Sequence, residues 1–277
     1  MPKKIYVGTA GVPICCNHSD IRGAISCVHE LGLDALEIEF VRGIFLKEKE
    51  AKTIGKEARK HNILLSVHAP YYINLASRKE KIIKASMLRI YKSALLGSLM
   101  GAKVVVIHPG YYSKRTPEET YSIIFNNLKT LREELTAGGM ENILLGIEVT
   151  GRYHQFGRLE EVLRICNELE DSTPVLDFAH IHALTKGGLR RREDFGRVFD
   201  KVERVLGEIH YHIHVSCVEY GKSGEKHHLP FSALEPDYKL LAEEMGERNI
   251  EATVISESPE LENDALKFRK YFLAQIQ

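Results

Sequence analysis

The sequence predicts a single closed (β/α)8 TIM barrel, and three observations predict it. Short apolar, β-branched runs recur at intervals of roughly 30 to 45 residues, separated by longer amphipathic stretches, as repeated βα units require. Eight such runs can be counted, and eight favours closure over an open doubly wound sheet. No run is followed by G-x-G-x-x-G or G-x-x-x-x-G-K-[ST], so the dinucleotide-binding and P-loop forms of the open sheet lose their main support.

In chain order the expected strands are Ile5 to Thr9, Ala35 to Phe40, Ile63 to His68, Val104 to His108, Leu144 to Glu148, Pro174 to Asp177, Ile209 to His214 and Thr253 to Glu257. Their nearly continuous apolar character suits parallel strands buried on both faces. Between them, Met87, Leu88, Tyr91, Leu95 and Leu99 recur at helical spacing, and Gly101-Ala102 ends that helix. Thr116-Pro117-Glu118-Glu119 places a hydroxyl at the N-cap, proline at N1 and glutamate at N3, a capping box for the helix after the fourth strand. Ser258-Pro259-Glu260 reads as a similar start for the last helix. No linker or low-complexity tract interrupts the pattern, so residues 1–277 are expected to form one domain.

Hydrophobic residues at 44% and charged residues at 27% are ordinary globular values, which excludes a disordered or fibrous chain. Lysine plus arginine equals aspartate plus glutamate at 38 each, so any polyanion-binding surface must be local. The five cysteines make no C-x-x-C pair, and an odd number is a poor disulfide framework; a reducing, cytoplasmic setting is the expectation. No segment approaches the ~18 apolar residues of a membrane span, and the first residues do not read as a signal peptide.

In a barrel of this kind chemistry sits where the strands end. The third strand ends in His68, the fourth in His108, the fifth in Glu148, the sixth in Asp177, the seventh in His214 and the eighth in Glu257. Any one of these alone reads as a hydrogen-bonded structural residue or a helix cap. Six on consecutive strands do not, because unpaired buried charges would cost several kcal/mol each unless cations neutralised them. Asp177-Phe-Ala-His180 adds a ligand just past the sixth strand, and Glu225-Lys-His227 adds two more, since i and i+2 share a face of an extended segment; that spacing selects His227 over His228. His210, His212 and His214 alternate with Tyr211, Ile213 and Val215, so His214 is expected at the mouth and His210 and His212 inside the barrel. Nitrogen and oxygen ligands without sulfur suit zinc, with manganese next, and nine side chains suit two or three ions rather than one.

These residues resemble the endonuclease IV family of metal-dependent apurinic/apyrimidinic endonucleases. The likeness rests on His68-Ala-Pro-Tyr71-Tyr72-Ile-Asn74-Leu75, His108-Pro-Gly110, Ile147-Glu148-Val-Thr150-Gly151, Asp177-Phe-Ala-His180 and Glu257, and runs from about Gly8 to the end of the chain. It implies three zinc ions: one held by His68, His108 and Glu148, a second by Glu148, Asp177, His214 and Glu257, a third by His180, Glu225 and His227. It implies hydrolysis of the DNA backbone 5′ to abasic sites in damaged double-stranded DNA, with Glu148 and Glu257 as catalytic carboxylates and Arg42, Tyr71, Tyr72 and Asn74 contacting the duplex. Loop residues Lys47, Lys49, Lys186, Arg190, Arg191, Arg192, Lys222 and Lys226 are candidates for phosphate contacts, although the arginine triplet is equally explained as a helix start. The chain departs from the family in Glu225-x-His where Asp-x-His is usual, in His214-Val-Ser-Cys217 where His-Leu-Asn-Asp is usual, and in Gly8-Thr9-Ala10-Gly11 where a histidine is usual. The alternative is a sugar isomerase or epimerase of the xylose isomerase-like barrels, which share the tetrad Glu148, Asp177, His214 and Glu257 around one divalent ion. Such a proton-transfer site has no evident need for His68, His108 and the Glu-x-His loop. A non-enzymatic metal- or nucleic-acid-binding protein is the third class.

Overall fold

Apolar runs that cannot be covered on one face alone become the staves of a closed barrel. A computed structural model describes residues 5–16, 20–41 and 43–275. Its eight barrel strands are β1 (Ile5–Ala10), β2 (Ala35–Glu39), β3 (Leu64–His68), β4 (Val104–Ile107), β5 (Leu144–Glu148), β6 (Ser172–Asp177), β7 (Tyr211–Val215) and β8 (Ala252–Ser256). All pair in parallel with their sequence neighbours, and β1 pairs with both β2 and β8 to close the ring. The helices are α1 (Ile21–Glu30), α2 (Glu48–His61), α3 (Glu80–Met100), α4 (Pro117–Ala137), α5 (Leu159–Glu168), α6 (Phe178–Leu184), α7 (Arg192–Leu206), α8 (Tyr238–Arg248) and α9 (Glu262–Leu273). Among the described residues no helix is long and apolar enough to cross a membrane.

The expected capping box of α4 is present: Thr116 Oγ1 accepts from the Glu119 N–H and Glu119 accepts from the Thr116 N–H. The last helix starts later than expected, at Glu262. Ser258 Oγ accepts from the Glu260 N–H two residues on, a local turn that precedes the helix instead of capping it. In α3 the buried face is carried by Ile90, Ala94 and Gly97 instead of Leu88, which is exposed. A Cβ on Gly97 would lie 2.7 Å from Ile143 Cδ1 and 3.3 Å from Val67 Cγ2, so small residues set the approach of this helix to the barrel.

The cysteine expectation is corrected. Cys16, in the loop after β1, is disulfide-bonded to Cys27 in α1, their Cα atoms 6.0 Å apart. Cys15, Cys166 and Cys217 are free. An odd number of cysteines does not prevent one pair from meeting when a short loop folds back on the helix it feeds.

The inward positions of the barrel are not uniformly apolar. Glu37, Ser66, His68, Glu148, Asp177, His212 and His214 are all buried, and strand register sets Glu37 beside Ser66, Glu39 beside His68 and Asp177 beside His214. The polar layer rises toward the strand ends. His210 is the exception to the interior expectation for β7: it precedes the first residue of the strand, is partly exposed, and bonds Thr253 Oγ1 at 2.8 Å.

Candidate metal centre

Glu148, the last residue of β5, is the hub. Its carboxylate is fully buried, with Oε2 3.2 Å from His68 Nε2 and 2.7 Å from His108 Nε2. Oε1 lies 3.4 Å from His180 Nδ1 and 3.5 Å from His214 Nδ1. Four imidazoles therefore converge on one carboxylate. His68 is oriented by its other nitrogen, 2.7 Å from the Ala69 carbonyl. Asp177 ends β6 and caps α6, accepting the His180 N–H at 2.8 Å, while its second oxygen is 3.3 Å from His180 Nδ1. Glu257, immediately after β8, lies 3.4 Å from His214 Nδ1.

The third corner comes from outside the barrel. Residues Cys217–Gly221 and Gly224–Leu229 form an antiparallel hairpin that docks on the loop after β5, where the Glu225 N–H donates to the Gly151 carbonyl. Glu225 Oε2 reaches His180 Nε2 at 3.4 Å and Arg152 at 3.6 Å. The histidine choice made from spacing is corrected here. Register in the hairpin runs Tyr220 opposite Glu225 and Glu219 opposite His227, so Lys226 is an extra, bulged residue. The bulge breaks the two-residue period, and Glu225 shares its face with His228. His228 lies 3.8 Å from both Glu225 and Glu257 and 5.6 Å, ring to ring, from His180. His227 turns out to Glu219 and is 59% exposed at the cavity rim.

Three ligand groups lie at the mouth, each with its donor atoms within 4.8 Å of one another: His68, His108 and Glu148; Glu148, Asp177, His214 and Glu257; Asp177, His180 and His228; a further group of Glu37, His212 and His214 lies below them and shares His214. Glu148 and Asp177 are each shared by two groups. The residues fit cations, because Glu148 Oε1, Asp177 Oδ2 and His214 Nδ1 are buried without a hydrogen-bond partner, which is costly unless something positive lies between them.

The electrostatics of the metal-free chain carry the same strain. Burial pushes Glu257 up to about 8, with Glu148 and Asp177 adding to the rise beside the opposing His214. Glu39 is driven to about 8 mainly by burial. Burial alone would lower His68, but Glu39 and Glu148 outweigh it and raise the imidazole to about 10. Glu148 is held well below the ordinary carboxylate range, the imidazoles of His108, His180 and His214 overcoming its burial.

A cavity of about 480 Å³ opens over the centre, lined by Tyr71, His108, Arg152, His180, Glu225, His228 and Glu257 among others. Tyr71 packs at a tilt against His68 and edge-on to His108, at 4.9 and 5.4 Å between rings. Tyr72 is half exposed under the Arg89 guanidinium, and Phe45 projects into solvent nearby, over Gly43. The Asn74 side chain accepts from the Ala76 N–H within its own loop and reaches Ser113 Oγ in the loop after β4, tying the two loops together. Arg42 lies outside the described residues. The arginine triplet serves the start of α7, with Arg191 and Arg192 paired to Asp194, Glu244 and Glu247. Spacing also passed over Glu37 and Glu39. The signal was there in Ala35-Leu-Glu-Ile-Glu-Phe40, where acids alternate with apolar residues and must point inward together.

Residues 25–272 match the family model described as xylose isomerase-like TIM barrel. The chain belongs to that family. Among relatives of this xylose isomerase-like barrel, an uncharacterized protein of Methanocaldococcus jannaschii is 39% identical over 271 residues, 97% of each chain. A probable endonuclease 4 of Thermoplasma acidophilum is 26% identical over 191 residues, 66% of this chain and 64% of that protein. Of solved structures, endonuclease IV from Thermus thermophilus superposes with a TM-score of 0.72 at 20% identity, covering 96% of this chain and 99% of that one. A D-tagatose 3-epimerase-like protein gives the same TM-score and identity over 97% and 98%. At that identity both structures show the fold, and they show it equally for a nuclease and an epimerase.

Proposed function

We propose that the protein is a metal-dependent hydrolase that cuts the DNA backbone 5′ to abasic sites, with two or three divalent ions, zinc first and manganese second, at the strand ends. The observation that carries this reading is the fusion of three ligand groups through Glu148 and Asp177. Divalent ions held there would lower the pKa of a water so that hydroxide is available near neutral pH, and would offset charge on a leaving oxygen. The chain's own contribution is placement. Glu148 and Glu257 fix the charge balance at the centre, Tyr71 shields its His68–His108 side, and Arg152 and Lys226 stand at the cavity rim where a phosphate would enter. Tyr71, Tyr72 and Arg42 supply the contacts to the damaged duplex, the two tyrosines offering flat faces for unstacked bases.

A sugar epimerase is the second reading, favoured by the tetrad Glu148, Asp177, His214 and Glu257, which is one complete group on its own. It leaves His68, His108, His180 and His228 without a role. The deciding experiment incubates the purified chain with a duplex holding one tetrahydrofuran abasic analogue, with and without chelator, alongside metal analysis. Chelator-sensitive nicking with two to three ions per chain is expected. No nicking, about one ion per chain and interconversion of a ketose would replace the hydrolase by the epimerase.

A further inference from the structure

We infer that Glu37, which lies outside the three groups at the mouth and forms a deeper cluster with His212 and His214, is a positioning residue that fixes how His214 presents itself to a cation; this rests on the metal-centre reading above. Glu37 lies on β2 one layer below the strand ends and is fully buried. Its Oε2 accepts from Ser66 Oγ at 2.6 Å and lies 2.9 Å from His212 Nε2, so the carboxylate is clamped from β3 and from β7. Its Oε1 is left pointing up the barrel, 3.0 Å from His214 Nε2. The opposite nitrogen of the same ring, Nδ1, faces Glu148 at 3.5 Å and Glu257 at 3.4 Å. The imidazole is thus strung between Glu37 below and the ligand carboxylates above.

A neutral imidazole carries one N–H and one lone pair. Both ring nitrogens of His214 and Glu37 Oε1 lack an aligned hydrogen bond, so the Glu37–His214 approach is a close polar contact; with Nε2 3.0 Å from an immobile carboxylate oxygen, the proton belongs on Nε2 and the lone pair on Nδ1, the atom that faces the centre. A carboxylate behind a ligating histidine also makes that histidine a stronger donor and holds its ring plane. His68 receives a weaker version of the same treatment from a neutral carbonyl, Ala69 O at 2.7 Å. Glu37 therefore distinguishes the group built on His214 from the group built on His68.

The test titrates metal-free protein with zinc against a chromophoric chelator and compares Glu37→Gln, Glu37→Asp and Ser66→Ala with the parent chain. Glu37→Gln keeps the shape and removes the charge. It is expected to weaken one of the bound ions by about 10- to 100-fold and leave the others within about twofold. Glu37→Asp, which keeps the charge but draws it back, is expected to lose less, and it replaces the glutamine variant as the readout if that variant fails to fold. Ser66→Ala, which removes one of the two clamps on Glu37, is expected to weaken the same ion by a smaller factor than Glu37→Gln, and no change in that ion's affinity would count against the clamp. If all ions bind Glu37→Gln and Glu37→Asp as tightly as the parent, Glu37 is structural and the inference falls while the metal centre stands. If the parent chain takes up no zinc, the metal-centre reading falls and takes this inference with it.

Discussion

His227 and His228 are chain neighbours with opposite surroundings, one paired with Glu219 in solvent and the other closing on Glu225 and Glu257. His228→Ala is therefore expected to remove one ion per chain and to reduce nicking of an abasic duplex by at least ~100-fold, whereas His227→Ala stays within about threefold of the parent. Metal analysis by mass spectrometry and a nicking assay on both variants check this; equal losses in the two would mean the hairpin register is wrong. Single residues are where the sequence misleads most. Period-two reasoning joins Glu225 to His227, and only the bulge at Lys226, a property of pairing with a partner strand, reverses the choice. Glu37 and Glu39 are legible in the alternation of β2, but carrying that strand on to Phe40 hides that Glu39 ends it and that Glu37 lies two residues below.

At the scale of elements, the eight strands were legible because most are short apolar runs buried on both faces, and β2 and β7 keep strict alternation instead. The boundaries of α9 and the hairpin after β7 were not, because both depend on tertiary contacts. The hairpin is set on the barrel by two glycines. Gly224 has φ of +95°, and a Cβ there would lie 2.2 Å from the Gly151 carbonyl oxygen; a Cβ on Gly151 would meet His180 and Glu225 at 2.6 and 2.7 Å. Gly224→Ala must push the hairpin away from the β5 loop and carry Glu225 and His228 with it. The variant is expected to keep the ions of the His68 and His214 groups, lose the one of the His180 group, and unfold with a stability loss of about 1–3 kcal/mol. Metal stoichiometry together with urea melts tests this. Loss of every ion at once would show that the three groups do not form separately.

For the molecule as a whole, the barrel concentrates Glu37, Glu39, Glu148, Asp177 and Glu257 with His68, His180, His212 and His214 in two successive layers at and just below the strand ends, so its stability should follow the cations that occupy them. Zinc at about a thousand times its dissociation constant adds roughly 4 kcal/mol, which for a chain of this size raises the melting temperature by about 10 °C. Calorimetry before and after chelation measures it, and an unchanged transition would remove the cations from the centre. The pH dependence gives a further test through Glu39, Glu257 and His68, which are raised, whereas Glu37 and Glu148 are held low and contribute no change above pH 5. Glu39 and Glu257 rise from 4.5 to about 8, and His68 rises from 6.5 to about 10. A group whose folded value lies above its unfolded one stabilises fully below the unfolded value and loses that contribution as pH climbs to the folded one. The two glutamates therefore withdraw stability between about pH 4.5 and 8, and His68 between about pH 6.5 and 10. Metal-free protein should accordingly weaken steadily from near pH 5 toward pH 10. Bound cations favour the ionised glutamates and the neutral imidazole, so in zinc-loaded protein the same groups are already in the form that high pH demands. Melts across that range should show a falling line for the chelated chain and a nearly level one for the loaded chain, and parallel lines would mean that the cations do not touch these residues.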